Sequence, residues 1–242
     1  MSRAVLSPPG RLARLLPGMG RLAGLLGRLR LDRRAISAVE FAMVAPVLSA
    51  AGLGTIELAN MATTYMRVSQ AAMMLADNAS RAKQASGTGG AVMREFDVND
   101  VFMSIDLQYP GLQLYTNGRV ILSSLEQNNA GGQWIHWQRC RGLTTWASKY
   151  GVQGTGTATG TSFAGMGPSG SLLTADSNSA IMFVEVYYQY RPIFFNVGGG
   201  AAPLIYRSAA VYVRDDRDLT GGSPYPGAGL ANPSPTSSRS TC

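Results

Sequence analysis

One histidine, His136, two cysteines, Cys140 and Cys242, and a few clusters of hydroxyls and carboxylates are where this 242-residue chain could do chemistry. A Ser-His-Asp triad or a histidine-rich metal site would have to rest on His136 alone. That residue stands between Trp134 and Trp137 in an apparent strand, where a surface or edge imidazole is the expectation. Ser80-Arg-Ala-Lys83 has a serine-lysine spacing but lacks the companion motifs of an acylating enzyme. Gly165-Met-Gly-Pro-Ser-Gly170 has the spacing of a dinucleotide fingerprint, yet no strand leads into it and Pro168 interrupts it, so it reads as a loop. Asp215, Asp216 and Asp218 are the densest carboxylates. They lack calcium-loop spacing and read as a solvated strand end balanced by Arg214 and Arg217. No catalytic residue, metal ligand or cofactor follows from these patterns, and the chain reads as a non-enzyme.

A different kind of chemistry attaches to Glu40. The chain from Ile36 to Ile56 holds this carboxylate as its single charge, and as a helix it would span about 31 Å, enough to cross a bilayer. A carboxylate in such a span costs on the order of a few kcal/mol unless it has a partner or a function. Cleavage between Ala35 and Ile36 would create the partner. The new α-amino group would lie four residues from Glu40, one helical turn away or opposite a neighbouring subunit's Glu, and the pair would neutralise both charges.

The charge distribution agrees with this reading. The formal net charge is +7, and residues 1–35 carry all of it, with eight Arg against one Asp. The remainder has 13 basic and 13 acidic groups and therefore no electrostatic footprint for nucleic acid. Arginines before the apolar run place the N-terminus in the cytoplasm and the C-terminal body across the membrane. Competing readings are a secretory signal cut near Ser49-Ala50-Ala51, a twin-arginine signal at Arg33-Arg34, a transit peptide broken by Pro8-Pro9 and Pro17-Gly18, and a plain single-pass anchor whose Glu40 snorkels to the headgroups.

Arg33-Arg34-Ala35-Ile36-Ser37-Ala38-Val39-Glu40-Phe41-Ala42, followed by Val44, Pro46 and Val47, resembles the TadE/TadG-like minor pilins (pseudopilins) of the Flp, or tight-adherence, type IV pilus. Ala35 stands where that family usually has Gly before the cut. Trp137-Gln-Arg-Cys-Arg-Gly142 and Val184-Glu-Val-Tyr-Tyr-Gln-Tyr-Arg-Pro192 are similar to segments of TadE-like periplasmic domains. The resemblance implies processing by prepilin peptidase at Ala35, Ile36, Glu40 and Phe41. It also implies a bacterial inner-membrane location with a periplasmic domain, and a role in pilus biogenesis and surface adherence. The implied partners are other minor pilins, the major pilin, the inner-membrane pilus assembly machinery and the lipid bilayer. The alternative is a membrane-anchored periplasmic binding module or hydrolase with its site on the Gly-rich loops.

The elements that would position these groups follow from periodicity. Leu58, Met61, Tyr65, Val68, Ala72, Leu75 and Ala79 recur at spacings of three and four, so the helix continues past the membrane with an apolar stripe. Asn60, Thr64, Arg67, Gln70, Asp77 and Lys83 face away. The stripe can pack on the chain's own sheet, on other pilin helices, or on each along different parts, and Pro46 should kink the helix. Beyond Ser86 to Gly90 the pattern turns to β. About five strands are expected among Met103–Tyr109, 112–116, 119–123, Gln133–Arg139, Ile181–Tyr190 and 204–213, with Asn117-Gly118 as a hairpin turn. The fold class is α+β: a long N-terminal transmembrane and amphipathic helix packed on a C-terminal antiparallel β-sheet domain. Five segments result: a leader (1–35), a transmembrane helix (36–57), its amphipathic extension (58–86), a periplasmic β-rich domain (87–219) and a flexible Gly/Pro/Ser-rich tail (220–242). An exported domain with two cysteines permits a bridge from Cys140 to Cys242, with the tail reaching back, or pairing between molecules.

Overall fold

The computed structural model describes residues 34–86, 89–156, 160–196, 198–220 and 228–242, so the leader expected before Ala35 lies almost wholly outside it. The elements in chain order are helix α1 (Arg34–Arg81), strands β1 (Gln84–Ser86) and β2 (Gly89–Val92), helix α2 (Glu95–Gln108), a 3-10 turn (Pro110–Leu112), a short helix α3 (Leu114–Asn117), and strands β3 (Gly118–Gln127), β4 (Gln133–Gly142), β5 (Ala180–Gln189) and β6 (Leu204–Tyr212). The chain divides into two compact units between Thr55 and Ile56.

In the first unit the described residues, 34–55, are all helical, and the helix is continuous on both sides of Pro46. Phe41, Met43, Val47 and Leu48 are exposed. The helix is long and apolar enough to cross a membrane, with a mean hydropathy of 1.7 in its most apolar window.

The second unit is built on a fully antiparallel sheet in the order β4-β3-β5-β6. Its two central strands are apolar on both faces because both faces are covered, which is why β5 reads as the near-continuous run Ala-Ile-Met-Phe-Val-Glu-Val-Tyr-Tyr. Val120, Leu122, Met182, Val184 and Val186 on one face pack with Val68, Ala72, Leu75 and Ala79 of α1 and with Val98, Phe102 and Ile105 of α2. On the opposite face Leu125, Ile135, Ile181 and Phe183 pack with Met166 and Ala175 from the long β4–β5 connection. The α+β class and the packing of the amphipathic helix on the sheet are therefore as expected, with two local exceptions. Leu58, the first residue of the expected stripe, is exposed, and Thr64 is buried rather than outward, its hydroxyl donating to the Asn60 carbonyl one turn back (2.9 Å).

Three sequence expectations are corrected between residues 95 and 118, the first being the run 112–116, which is not a strand but the end of the 3-10 turn and most of α3. Met103–Tyr109 is not a strand but the end of α2, whose buried residues Val98, Val101, Phe102 and Ile105 follow helical spacing. The apparent alternation came from Met103 and Leu107, which are exposed. The helix start is sealed by Asp97, whose carboxylate accepts the Arg94 backbone N–H at 2.9 Å and the Arg94 guanidinium at 2.7 Å.

Asn117-Gly118 is not a hairpin turn either. Asn117 ends α3 and Gly118 begins β3, where a Cβ would stand 2.1 Å from the Tyr187 carbonyl oxygen. Glycine serves close strand approach here, not a left-handed turn. The expected single sheet of about five strands is a four-stranded sheet with a separate β1–β2 pair.

The tail also differs from a free segment over its described part, 228–242. Ala231 donates to the Met93 carbonyl (3.0 Å) and accepts from Glu95 N–H (2.9 Å), and the Ser240 carbonyl accepts from Cys140 N–H (2.7 Å). Leu230 joins the core beside Trp137. Backbone pairing and one apolar anchor hold a stretch whose composition alone reads as linker.

Leu75 is fully buried between helix and sheet. Leu75→Ala should destabilise the second unit by about 2–5 kcal/mol. Urea unfolding of the detergent-solubilised chain measures it, whereas Met73→Ala on the exposed side of the same helix should change stability by under about 0.5 kcal/mol.

Candidate functional site

Ala35, Ile36, Glu40 and Phe41, the residues expected at the processing junction, all lie in the first turns of α1 and share one helix end. Glu40 is exposed and Phe41 is 70% exposed. Nothing in the described chain covers this carboxylate or its apolar neighbours.

The first charge after the apolar run behaves in the opposite way. Glu57 is buried, and its carboxylate is fully engaged. The Tyr190 phenol donates to Oε1, and the backbone N–H groups of Ile193 and Phe194 donate to Oε2 at 2.9 and 3.0 Å. Asn60, one turn along α1, donates to the Tyr190 oxygen at 2.7 Å. Burial, and then the hydrogen bond to Glu57, push the Tyr190 phenol up to about 12. The Tyr190-Arg-Pro192 segment that leaves β5 thus clasps the helix. Glu57 was not singled out in the sequence; the usable signal was its position directly after Ile56.

The other motif, Trp137–Gly142 on β4, carries Arg139. Its guanidinium forms a buried bidentate pair with Glu95 at the start of α2, with Nε donating at 2.9 Å, and Arg239 of the tail approaches the same carboxylate at 3.7 Å. Glu95 is a second carboxylate that no sequence pattern marked.

His136 corrects the expectation of a surface imidazole. It sits on edge strand β4 but is buried, stacked on Trp134 with ring centroids 4.2 Å apart and with Nδ1 2.7 Å from Glu126 Oε2. A cavity of about 370 Å3 opens beside these groups, lined by Glu95, Trp134, His136, Arg139, Gln153 and Arg239. Its carboxylate and guanidinium groups are paired with one another rather than presented to a ligand.

The remaining sequence candidates are placed as structural groups. Asp215 pairs with buried Arg217 at 2.8 Å, Asp216 with Lys83, and Asp218 accepts from Thr220. The expected partner Arg214 instead lies 3.6 Å from Asp77. Among the described residues no group of three or more His, Cys, Asp or Glu could hold a metal ion. The Ser80 hydroxyl is spent on the Asp77 carbonyl at 2.7 Å. Gly165 to Gly170 form a loop in which Gly165 and Gly167 take positive φ around the buried Met166. Cys140 and Cys242 are joined in a disulfide with Cα atoms 4.9 Å apart. The bridge ties the last residue to β4, next to the Glu95–Arg139 pair.

These features define a protein with one helix fit for a membrane anchor and an α+β domain following it. The profile of the family described as TadE-like protein matches residues 35–77. The match takes in the junction, Glu40, Glu57 and the start of the stripe that packs on the sheet, and it covers well under half of the chain. This segment is TadE-like. No curated protein and no solved structure matches the chain.

Two outcomes test the polar assignments. Arg139→Met alone leaves Glu95 buried with only a distant cation and should cost about 3–5 kcal/mol in urea unfolding. The double variant Glu95→Leu, Arg139→Met should recover most of that loss. For Tyr190 the folded phenol titrates above its ordinary value of about 10. Its contribution to stability is therefore present below pH of about 10 and is lost as pH rises through about 12. The difference in thermal midpoint between the parent and Tyr190→Phe should be constant from neutral pH to about 10 and shrink above it.

Proposed function

We propose that the chain is a minor pilin-like (pseudopilin) assembly protein of a Flp (Tad) type pilus, acting by helix packing rather than by catalysis. It enters the bacterial inner membrane with its N-terminus in the cytoplasm and its C-terminal domain in the periplasm. Prepilin peptidase removes the leader between Ala35 and Ile36. The mature chain then joins other minor pilins and the major pilin through the 36–57 part of its helix, and supports pilus biogenesis and adherence.

The observation that carries this reading is the contrast between two carboxylates on one helix. Glu57 is saturated by its own chain, while Glu40, inside a TadE-like segment and four residues beyond the junction, is exposed and has no such cage. An α-amino group generated on Ile36, in the same molecule or in its neighbour, supplies the missing opposite charge in lipid. The exposed Ile36, Val39, Phe41 and Val44 give that contact an apolar surround. The competing reading, an anchored binding module or hydrolase, would draw on the cavity beside His136. The charged groups there are paired internally.

N-terminal sequencing of the mature protein should start at Ile36; an intact leader, or a start near Gly52, rejects the processing step. Glu40→Ala should abolish or strongly reduce filament assembly with the protein's abundance and membrane fractionation unchanged, and unimpaired assembly would remove the pairing mechanism.

A further inference from the structure

The segment that leaves β5 turns back toward β6 with Ile193, Phe194 and Phe195 at its tip, exposed by 58%, 51% and 42%. Among the described residues outside the apolar helix run, this is the one place where three consecutive large apolar side chains are exposed. Burying such a triplet nowhere is costly, and exposed apolar clusters of this kind mark contacts with protein or lipid.

The tip is not loose. Its backbone is held by the Glu57 carboxylate through the N–H groups of Ile193 and Phe194. Behind it, the Asn196 amide donates to the carbonyls of Gly199 and Ala201 at 3.1 and 2.7 Å, and Gln189 donates to Ala202 at 2.6 Å. Two of the three backbone donors of the apolar tip, those of Ile193 and Phe194, are thus spent on a side chain. Such pairing favours entry into a region poor in hydrogen-bond partners.

The identity of the surface follows from the residue that does the holding. Glu57 directly follows Ile56, the last residue of the run long enough to cross the bilayer. A loop pinned to that carboxylate is pinned where the chain leaves the hydrocarbon. Pro192 and exposed Arg191 flank the tip, and a guanidinium beside apolar side chains suits the boundary between acyl chains and phosphate headgroups. We propose that Ile193, Phe194 and Phe195 insert into the headgroup boundary of the leaflet facing the folded domain, giving that domain a second, non-covalent contact with lipid. Extraction of the chain from the membrane then has to withdraw this tip as well as the helix.

The inference rests on the reading of residues 36–56 as a membrane anchor, and the test separates the two. The full chain, with Cys140–Cys242 oxidised, is reconstituted alone in bilayers of phosphatidylethanolamine and phosphatidylglycerol. A nitroxide is placed in turn at Ile193→Cys, Phe194→Cys, Leu53→Cys in the anchor, and Leu172→Cys on a distant loop. Power saturation then compares collision with oxygen, which concentrates in lipid, against collision with a water-soluble nickel chelate.

The proposal expects positions 53, 193 and 194 to shift toward oxygen and position 172 toward nickel. Oxygen preference at 53 with nickel preference at both 193 and 194 overturns the inserted tip and leaves the anchor standing. Protection from both reagents at 193 and 194 marks a protein contact and overturns it too. Nickel preference at 53 overturns the anchor, and the tip with it.

Discussion

The second unit is governed by a sheet whose central strands are apolar on both faces and which must therefore be covered twice. Helical residues Val68 to Ala79 and Val98 to Ile105 supply one cover. The 143–179 connection supplies the other through Met166 and Ala175. Neither cover can be spared, since each removes large aliphatic side chains of β3 and β5 from water, at about 25 cal/mol for every Å2 of apolar area. The helix that carries the TadE-like segment is consequently also a structural wall of the domain that follows it.

Double coverage raises a second problem, because strands buried on both sides also bury their polar residues. Most of these groups have an answer inside the chain; Arg119 Nε and the Trp134 indole N–H are buried without one. Glu185, at the middle of β5, accepts from the Lys149 backbone at 3.0 Å and from the Tyr206 hydroxyl at 3.1 Å, and also from Ser148. Gln138 reaches the Ser123 hydroxyl at 3.0 Å across β3 and β4. Glu126 holds both Ser124 and His136. Interior groups satisfied in this way cost little and fix registers, since shifting a strand by one residue would leave each of them unpaired.

How much of this was legible in the sequence depends on the range of the interactions. The stripe from Val68 to Ala79 and strands β4, β5 and β6 follow from local periodicity; the structure places β5 and β6 within a residue of where that pattern puts them and carries β4 three residues further, to Gly142. Helix α2 was not legible as such. Over seven residues Met103 to Tyr109 alternate as a strand would, and only the buried set beginning at Val98 shows the longer period. Asn117-Gly118 misled for a related reason: the dipeptide carries the turn signal, but whether Gly bends the chain or admits a neighbouring strand depends on Tyr187, seventy residues away. At the candidate site, Glu40 was legible because a lone charge in an apolar run is conspicuous. Glu57 and Glu95 were not, since their partners Tyr190, Ile193, Phe194 and Arg139 come from distant strands and loops.

The +7 formal charge belongs to residues 1–35, and the rest of the chain is balanced, so the folded domain carries no net formal charge of its own. What remains for the body are short-range demands on individual carboxylates along one helix. Glu57 meets them entirely within its own unit, and in doing so fixes the 190–196 loop. Glu40 is exposed and has no such cage among the described residues, so two carboxylates on one helix meet opposite environments: Glu57 is satisfied by the fold of its own unit, whereas Glu40 is left open to whatever surrounds the apolar run.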